Sequence, residues 1–229
     1  MQEYIATVKE IIPLSNTAKA IKLKFNKNPQ FLPGQFLMFE FNINNKLEKR
    51  AFSISSTPNE KLIEITVKKN TNPLVSQYII ENLKIGDKIK TSEARGRFIL
   101  DENKNAVFLA AGSGIAPIMS MIRYLKQKNS KNKAHLIYSN KSEEEILWKN
   151  EIEYISKEYK NFSHVFTLTN PNKQWRGKEG RITEDLFKNY ISENTIFYIC
   201  GPLEFVRSLY KNLLDLQVDK DNIKLEVYD

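Results

Sequence analysis

At 229 residues, the chain is long enough for one large domain or two ordinary domains, each with its own hydrophobic core. Hydrophobic residues make up 41% of the sequence and charged residues 27%, which indicates a folded soluble protein and excludes a disordered one. The formal net charge of +8 does not indicate nucleic-acid binding, because lysine is scattered along the whole chain and no basic–aromatic motif stands out. The charge suits an acidic partner or a phosphate-bearing cofactor better.

Cysteine and histidine are too scarce for a metal centre. The single cysteine, Cys200, excludes a disulfide framework and any four-thiolate zinc or iron–sulfur site made by this chain alone. His135 and His164 are isolated, so we expect no metal. No apolar run approaches the ~20 residues that span a bilayer, and the first ten residues do not form a signal peptide. We therefore expect a cytoplasmic protein without membrane insertion.

The first hundred residues have the short, alternating pattern of β-strands separated by turn residues. A short helix is predicted to begin near Pro73, because proline is favoured where helices start. Six strands at this spacing predict an antiparallel barrel or sandwich. The predicted strands are residues 4–12, 20–25, 34–43, 51–55, 62–67 and 87–92.

After a polar run at residues 101–105, fully apolar strands alternate with helices, which predicts a parallel sheet covered on both faces. We expect a β-barrel domain over residues 1–102 and an α/β domain over residues 103–229. The predicted strands here are 106–110, 134–139, 163–168, 195–200 and 223–228. The predicted helices are 115–128, 144–159, a short one after Thr183, and 203–216.

The stretch "AAGSGIAP" puts Gly112 and Gly114 between a buried strand and a helix. Glycines there let the backbone approach a phosphate, which the helix N-terminus also favours, although the same glycines are compatible with packing alone. The usual dinucleotide fingerprint is only half met, because Pro117 replaces its third glycine and the next strand ends in "YSNK" without an acidic residue.

Two further stretches each allow a structural and a functional interpretation. "YICGP" ends a predicted strand at Cys200, which either faces the same crevice as the glycine loop or is simply a small buried side chain. "RAFSISS", residues 50–56, fits either a solvated edge strand or a strand that faces a planar ligand with a charged tail.

Taken together and in this order, "RAFSISS", "GRF", "AGSGIAP" and "CGP" resemble the ferredoxin–NADP reductase superfamily over essentially the whole chain. The resemblance implies a flavoenzyme with an N-terminal antiparallel Greek-key β-barrel that binds FAD. It also implies a C-terminal Rossmann-like parallel sheet that binds NADPH or NADH.

On the flavin side, the resemblance implies contacts from the segment that includes Arg50, Ala51, Phe52 and Ser53. Arg50 would bind the pyrophosphate, Phe52 would replace the usual tyrosine against the isoalloxazine ring, and Ser53 would hydrogen-bond near flavin N5. The other implied flavin contacts are Ser56, Val67, Lys68 and the backbone N–H groups of Leu74, Val75 and Ser76.

On the nicotinamide side, the resemblance implies a pyrophosphate loop, a nicotinamide segment and a flavin-facing C-terminus. Tyr228 would shield the flavin until nicotinamide displaces it, or is only an aromatic residue at a strand end. The implied residues are Gly112, Ser113, Gly114 and Pro117 in the loop, Cys200, Gly201 and Pro202 beside the nicotinamide, and Glu226 and Tyr228 at the C-terminus.

Basic residues near the predicted ribose subsite favour NADPH over NADH, because a 2′-phosphate needs cationic partners. Ser139, Asn140 and Lys141 are candidates, as is one of Arg176, Lys178 or Arg181. The alternative is that "NKSEEEI" merely caps a helix with a solvated face.

The resemblance implies hydride transfer from NAD(P)H to FAD, with Ser53 stabilising the proton at reduced N5 and Cys200 helping to orient the nicotinamide. Electrons would then pass to a small acidic carrier such as ferredoxin or flavodoxin. Two alternatives stay open, namely an NAD(P)H:free-flavin reductase and a non-catalytic flavin-bearing electron-transfer subunit of a larger complex.

Overall fold

A computed structural model describes residues 4–69 and 73–228. The chain folds into two compact units. The first comprises the chain up to Leu100 together with Met119–Tyr124, and the second comprises Asp101–Ile118 together with the chain from Leu125 onward.

The first unit is built on one antiparallel six-stranded sheet with the strand order β4-β3-β6-β1-β2-β5. Ile54, directly after β4, forms an isolated bridge with Ile65 in β5, so the two outermost strands meet and the sheet curls on itself. This confirms the expected antiparallel barrel-like fold. The elements are β1 (Tyr4–Ser15), β2 (Ala18–Phe25), β3 (Phe36–Ile43), β4 (Lys46–Ser53), β5 (Ile63–Lys68), α1 (Leu74–Asn82) and β6 (Lys88–Thr91).

Buried and more exposed side chains alternate along the strands, so the hydrophobic core of this unit lies on the inner face of the curled sheet. In β3, Leu37, Phe39, Phe41 and Ile43 are buried, while the residues between them are more exposed. The apolar side chains of β1, β2, β5 and α1 join them in one hydrophobic cluster.

The second unit is a parallel six-stranded sheet with the order β10-β9-β8-β7-β11-β12. The chain first adds strands on one side of β7 and then on the other, so a topological switch point lies between β7 and β11. The parallel α/β expectation is therefore confirmed. The elements are β7 (Asn105–Ala111), α2 (Ile115–Gln127), β8 (Ala134–Asn140), α3 (Lys149–Glu158), β9 (Phe162–Leu168), β10 (Lys178–Glu179), β11 (Thr195–Pro202), α4 (Leu203–Asp215) and β12 (Ile223–Tyr228).

Several predicted boundaries were wrong for local reasons. The helix predicted from residue 144 begins only at Lys149, because Trp148 adopts a left-handed conformation with φ of 53° and interrupts the helix. The short helix predicted after Thr183 is a pair of 3₁₀ turns. The strand predicted from residue 51 begins at Lys46, since Asn44 and Asn45 both take positive φ and form a two-residue hairpin turn.

Within residues 4–69 and 73–228, no helix combines the length and apolar character needed to cross a lipid bilayer. The same residues contain no group of three or more His, Cys, Asp or Glu side chains arranged to hold a metal ion.

Candidate active site

In the first unit, the candidate flavin segment lies at the end of β4, an outermost strand of the hydrogen-bonded sheet. Arg50 and Phe52 are half-buried, Ala51 is exposed, and Ser53 is only 3% exposed. The Phe52 ring packs edge-on against Phe39, with 5.8 Å between the ring centroids. The segment thus offers a guanidinium, an aromatic ring and a hydroxyl on a strand held firmly to β3.

Immediately beyond Ser53, the chain turns inward and pairs with β5. Ser55 donates its backbone N–H to the carbonyl oxygen of Glu64 at 2.8 Å. The Ser56 hydroxyl accepts a hydrogen bond from the backbone N–H of Glu64 at 2.9 Å, and Ser55 and Ser56 are both fully buried. The hydroxyl of Ser56 is therefore engaged in strand pairing, and its role toward a cofactor stays a prediction.

The second candidate flavin segment follows the end of β5 and enters α1. Val67 is fully buried in the core, which leaves its backbone as the part available to a ligand, and Lys68 is half-buried. The first turn of α1 has no side-chain cap and no acidic residue. Such an N-terminus favours an anion, because its backbone N–H groups lack helical acceptors and carry a partial positive charge. Leu74 is exposed, whereas Val75 and Ser76 are buried.

In the second unit, the glycine loop makes a close approach that only glycine permits. Gly112–Gly114 form a 3₁₀ turn between β7 and α2. A Cβ atom on Gly114 would lie 2.2 Å from the carbonyl oxygen of Cys200, and one on Gly201 would lie 3.0 Å from the Ala111 Cβ atom. The loop and the end of β11 therefore meet backbone to backbone at the switch point. Ser113 is half-exposed beside them, and Pro117 is buried in α2.

Tyr138 fixes the other side of this loop. Its hydroxyl, on a fully buried side chain in β8, donates a 2.7 Å hydrogen bond to the carbonyl oxygen of Gly112. Burial raises the pKa of this phenol, so it stays a neutral donor. Because Gly112 has a φ of 53°, a left-handed conformation, this bond also holds a backbone geometry that glycine adopts easily.

Cys200, Glu226 and Tyr228 converge where β11 and β12 end. Cys200 pairs with Glu226 and Pro202 with Tyr228 in adjacent parallel strands. Burial, with a smaller contribution from the Glu226 carboxylate, raises the pKa of the Cys200 thiol well above its usual value, and a hydrogen bond with Tyr228 opposes this rise. Burial likewise raises the pKa of Glu226 to about 7. The trio therefore holds a neutral thiol beside a carboxyl that titrates near neutral pH.

The candidate ribose subsite lies at the carboxyl ends of β8, β9 and β10. Ser139 pairs with Thr167, and Thr167 in turn with Lys178. The Asn140 amide and the Thr167 hydroxyl are buried without a hydrogen-bond partner within the described part of the chain. The cations predicted here, Lys141, Lys178 and Arg181, are all exposed. Arg176 donates to the carbonyl oxygens of Lys173 and Trp175 instead.

The candidate residues of both units fit FAD and a nicotinamide nucleotide, the two cofactors that the sequence resemblance implies. The contact of Gly114 with the Cys200 backbone explains this glycine by packing, and it holds the glycine loop against the end of β11. The orphaned polar atoms of Asn140 and Thr167 offer unused hydrogen-bonding capacity at the sheet edge. The end of β4 supplies the cation, ring and hydroxyl that suit a flavin nucleotide.

Sequence reasoning missed three polar residues that support the site. Tyr138 holds the glycine loop, and a buried ion pair between Glu64 and Arg123 supports the chain after Ser53. The available signal was a charged residue inside an apolar pattern, namely Glu64 in "IEITV" and Arg123 in "IMSMIRYL".

Comparison with known proteins gives two family matches, one in each half of the chain. The Oxidoreductase FAD-binding domain matches residues 5–100, and the Oxidoreductase NAD-binding domain matches residues 108–211. The flavohem-like FAD/NAD-binding domain of nitric oxide dioxygenase from Vibrio cholerae O1 biovar El Tor is 25% identical, with a TM-score of 0.87 and 98% coverage of both chains.

Two curated relatives extend beyond the region they share with this chain. The phenol hydroxylase P5 protein of Acinetobacter pittii (strain PHEA-2) is 31% identical over 99% of this chain and 65% of its own length. The anthranilate 1,2-dioxygenase electron transfer component of Acinetobacter baylyi (strain ATCC 33305 / BD413 / ADP1) is 28% identical over 85% of this chain and 57% of its own length. With consecutive FAD- and NAD-binding matches on an antiparallel and a parallel sheet, the chain belongs to the ferredoxin–NADP reductase superfamily and contains its FAD-binding and NAD-binding domains.

Proposed function

We propose that the protein is an NAD(P)H-dependent FAD reductase that passes electrons to a small acidic carrier such as ferredoxin or flavodoxin. The observation that carries this proposal lies at the switch point of the parallel sheet. There, Cys200, Glu226 and Tyr228 converge beside the glycine loop, which contacts the Cys200 backbone through Gly114. Ligands of open α/β sheets bind outside the carboxyl ends of the strands at such a point.

In this proposal, the chain's own residues bind and orient the two cofactors. Arg50 and Lys68 contribute cationic groups for the FAD pyrophosphate, together with the uncapped first turn of α1. Phe52 offers its ring face to the isoalloxazine, while its contact with Phe39 limits its rotation. Gly112–Gly114 and the backbone of Gly201 take the nicotinamide nucleotide. FAD, when bound, would supply the redox chemistry by accepting two electrons from the nicotinamide and releasing them singly or in pairs.

Two side chains hold protons near the reacting groups. The Ser53 hydroxyl would hydrogen-bond at flavin N5 and stabilise the proton that N5 carries when reduced, and its burial would shield this hydrogen bond from competing water. Glu226, with a pKa of about 7, carries a proton on its carboxyl below neutrality and releases it above. The neutral Cys200 thiol would pack against the nicotinamide ring and set its angle.

NADPH is the proposed coenzyme. Lys178 lies in register beside Thr167 and Ser139, and Lys141 directly follows β8. Exposed ammonium groups at this edge would pair with a 2′-phosphate, whereas NADH offers no anion there.

An acidic carrier is the proposed acceptor, for two reasons. The net charge of +8 would accelerate encounter with an acidic protein through long-range attraction. In addition, the A. baylyi relative is by name an electron transfer component of a dioxygenase.

The first test is a visible absorption spectrum of the purified protein before and after anaerobic addition of NADPH or NADH. A yellow protein with about one FAD per chain, bleached faster by NADPH, is the expected result. A colourless protein that reduces added flavin would favour the free-flavin reductase. A protein that neither retains nor binds FAD would overturn the proposal.

Reduction of ferredoxin and of flavodoxin, followed at low and high salt, tests the acceptor, because electrostatic steering weakens with ionic strength.

A further inference from the structure

A buried ion pair lies behind the chain that follows Ser53. Arg123 donates from Nη1 to Glu64 Oε1 at 2.6 Å, and their side chains are only 15% and 6% exposed. Both residues belong to the first unit, since Met119–Tyr124 groups with the β-sheet. Burying two charges costs solvation that their mutual attraction often fails to recover, so a buried pair needs an explanation other than stability.

The hydrogen bonds around the pair indicate what it does. The same Nη1 of Arg123 also donates to the Ser55 carbonyl oxygen at 2.8 Å. Glu64 Oε1 accepts a second hydrogen bond, from the Ser55 hydroxyl at 2.8 Å, and that hydroxyl accepts one from Thr66 at 3.2 Å. The two residues of the ion pair therefore hydrogen-bond both the main chain and the side chain of Ser55.

One helical turn before Arg123, a second group binds the next residue of the segment. The Ser120 hydroxyl donates to the Ser56 carbonyl oxygen at 2.6 Å. Ser55, Ser56 and Ser120 are all 0% exposed, so no water competes with these bonds. Together with the two backbone bonds to Glu64, they fix Ser55 and Ser56 from the side of β5 and from the side of α2.

We infer that Arg123, Glu64 and Ser120 form a clamp of positioning residues that sets the conformation of the strand end where FAD binds. This inference rests on the proposed function. Ser53 is only two residues before Ser55. A shift of the backbone at Ser55 would therefore also move the Ser53 hydroxyl and the neighbouring Phe52 ring. The clamp residues themselves would not touch the cofactor, since they act through Ser55 and Ser56.

The test is fluorescence titration of the apoprotein with FAD, at a temperature well below the unfolding midpoint of every variant. Arg123→Met should raise the FAD dissociation constant at least tenfold. Arg123→Lys should stay within about threefold of the wild type, because an ammonium group also carries several donors and can reach both oxygens. Ser120→Ala should weaken FAD binding about threefold, since it removes one bond and leaves the ion pair.

Two controls separate positioning from general stability. Ile89→Val, at a buried position of β6, a strand that pairs with β1 and β3 and not with β5, lowers stability in the same unit and should leave FAD affinity within twofold. Arg207→Met removes an exposed ion pair with Glu204 on α4 and should change nothing. If Arg123→Met fails to fold, Glu64→Gln together with Ser120→Ala provides the comparison.

Each outcome has one interpretation. A wild-type apoprotein that binds no FAD overturns the proposed function and this inference with it. Wild-type binding with unchanged affinity in Arg123→Met, or in the substitute pair, overturns the clamp alone. An affinity loss that Ile89→Val matches, or that Arg123→Lys does not rescue, also overturns it.

Discussion

The raised pKa of Glu226 predicts that the protein loses stability as the pH rises toward neutrality. Burial shifts this carboxyl from its ordinary 4.5 to about 7. Between these values the unfolded chain has released the proton while the folded chain still holds it, so increasing pH favours unfolding. The contribution is fully present below about pH 4.5 and is lost by about pH 7.

The size of the effect follows from the shift. At about 1.4 kcal/mol for each pH unit, the full shift corresponds to about 3 kcal/mol. Because the Glu226 side chain is partly exposed, solvent screening reduces this to about 1–2 kcal/mol. For a chain of this length, that difference changes the melting temperature by about 2–8 °C.

The assay is thermal unfolding of the wild type and of Glu226→Gln from pH 5 to pH 8.5. A glutamine cannot ionise, so the variant should match the wild type at the acid end and melt about 2–8 °C higher at the alkaline end. Glu204→Gln, on a largely exposed side chain at the start of α4, serves as the matched control and should show no such trend. A melting-temperature difference that stays constant across this pH range would refute the reasoning.

Two further predictions concern single residues of the site. Gly114→Ala should raise the nucleotide dissociation constant at least tenfold and lower the melting temperature, since its Cβ would lie 2.2 Å from the Cys200 carbonyl oxygen. Ile155→Val, at a buried position of α3, which packs on β9 two strands away from β7, lowers stability in the same unit and is the control. Equal losses of nucleotide affinity in the two variants would contradict this prediction. Ser53→Ala should slow flavin reduction by about tenfold or more, the loss of a hydrogen bond of about 1.5 kcal/mol, while nucleotide binding changes little. Stopped-flow absorbance measures both quantities, and equal losses would argue against the role of Ser53.

Much of the fold could be predicted because burial repeats with a fixed period. Residues 106–110 of β7 are buried without interruption, and their sequence "AVFLA" accordingly reads as an unbroken apolar run. The start of β4 was missed because Lys46, Glu48 and Lys49 give it a charged, exposed character that is typical of a loop. The late start of α3 could not be foreseen, because the left-handed backbone of Trp148 is rare for an aromatic residue and has no sequence signature.

The candidate site likewise contains residues that the sequence could predict and residues that it could not. Gly114 and Cys200 could be found because a strand, a turn and a helix place glycine and strand-end residues at predictable positions. The bond between Tyr138 and Gly112 spans 26 residues, and the pair between Arg123 and Glu64 spans 59. Such pairs depend on the three-dimensional path of the chain, and a single sequence contains no direct signal of which buried charge meets which partner.

Residues 50–56 combine features of both interpretations, the solvated edge strand and the ligand-facing strand. β4 is an outermost strand, as the solvated-edge interpretation requires, and its first residues are indeed exposed. That interpretation fails for Ser53, Ser55 and Ser56, which are almost or fully buried. Ser55 and Ser56 are occupied by Glu64 and the middle of α2, so neither is available to a ligand without breaking a buried network. The hydroxyls of Ser55 and Ser56 therefore have partners within the protein. We propose that Arg50 to Ser53 face the flavin, and the Ser53→Ala variant tests this proposal.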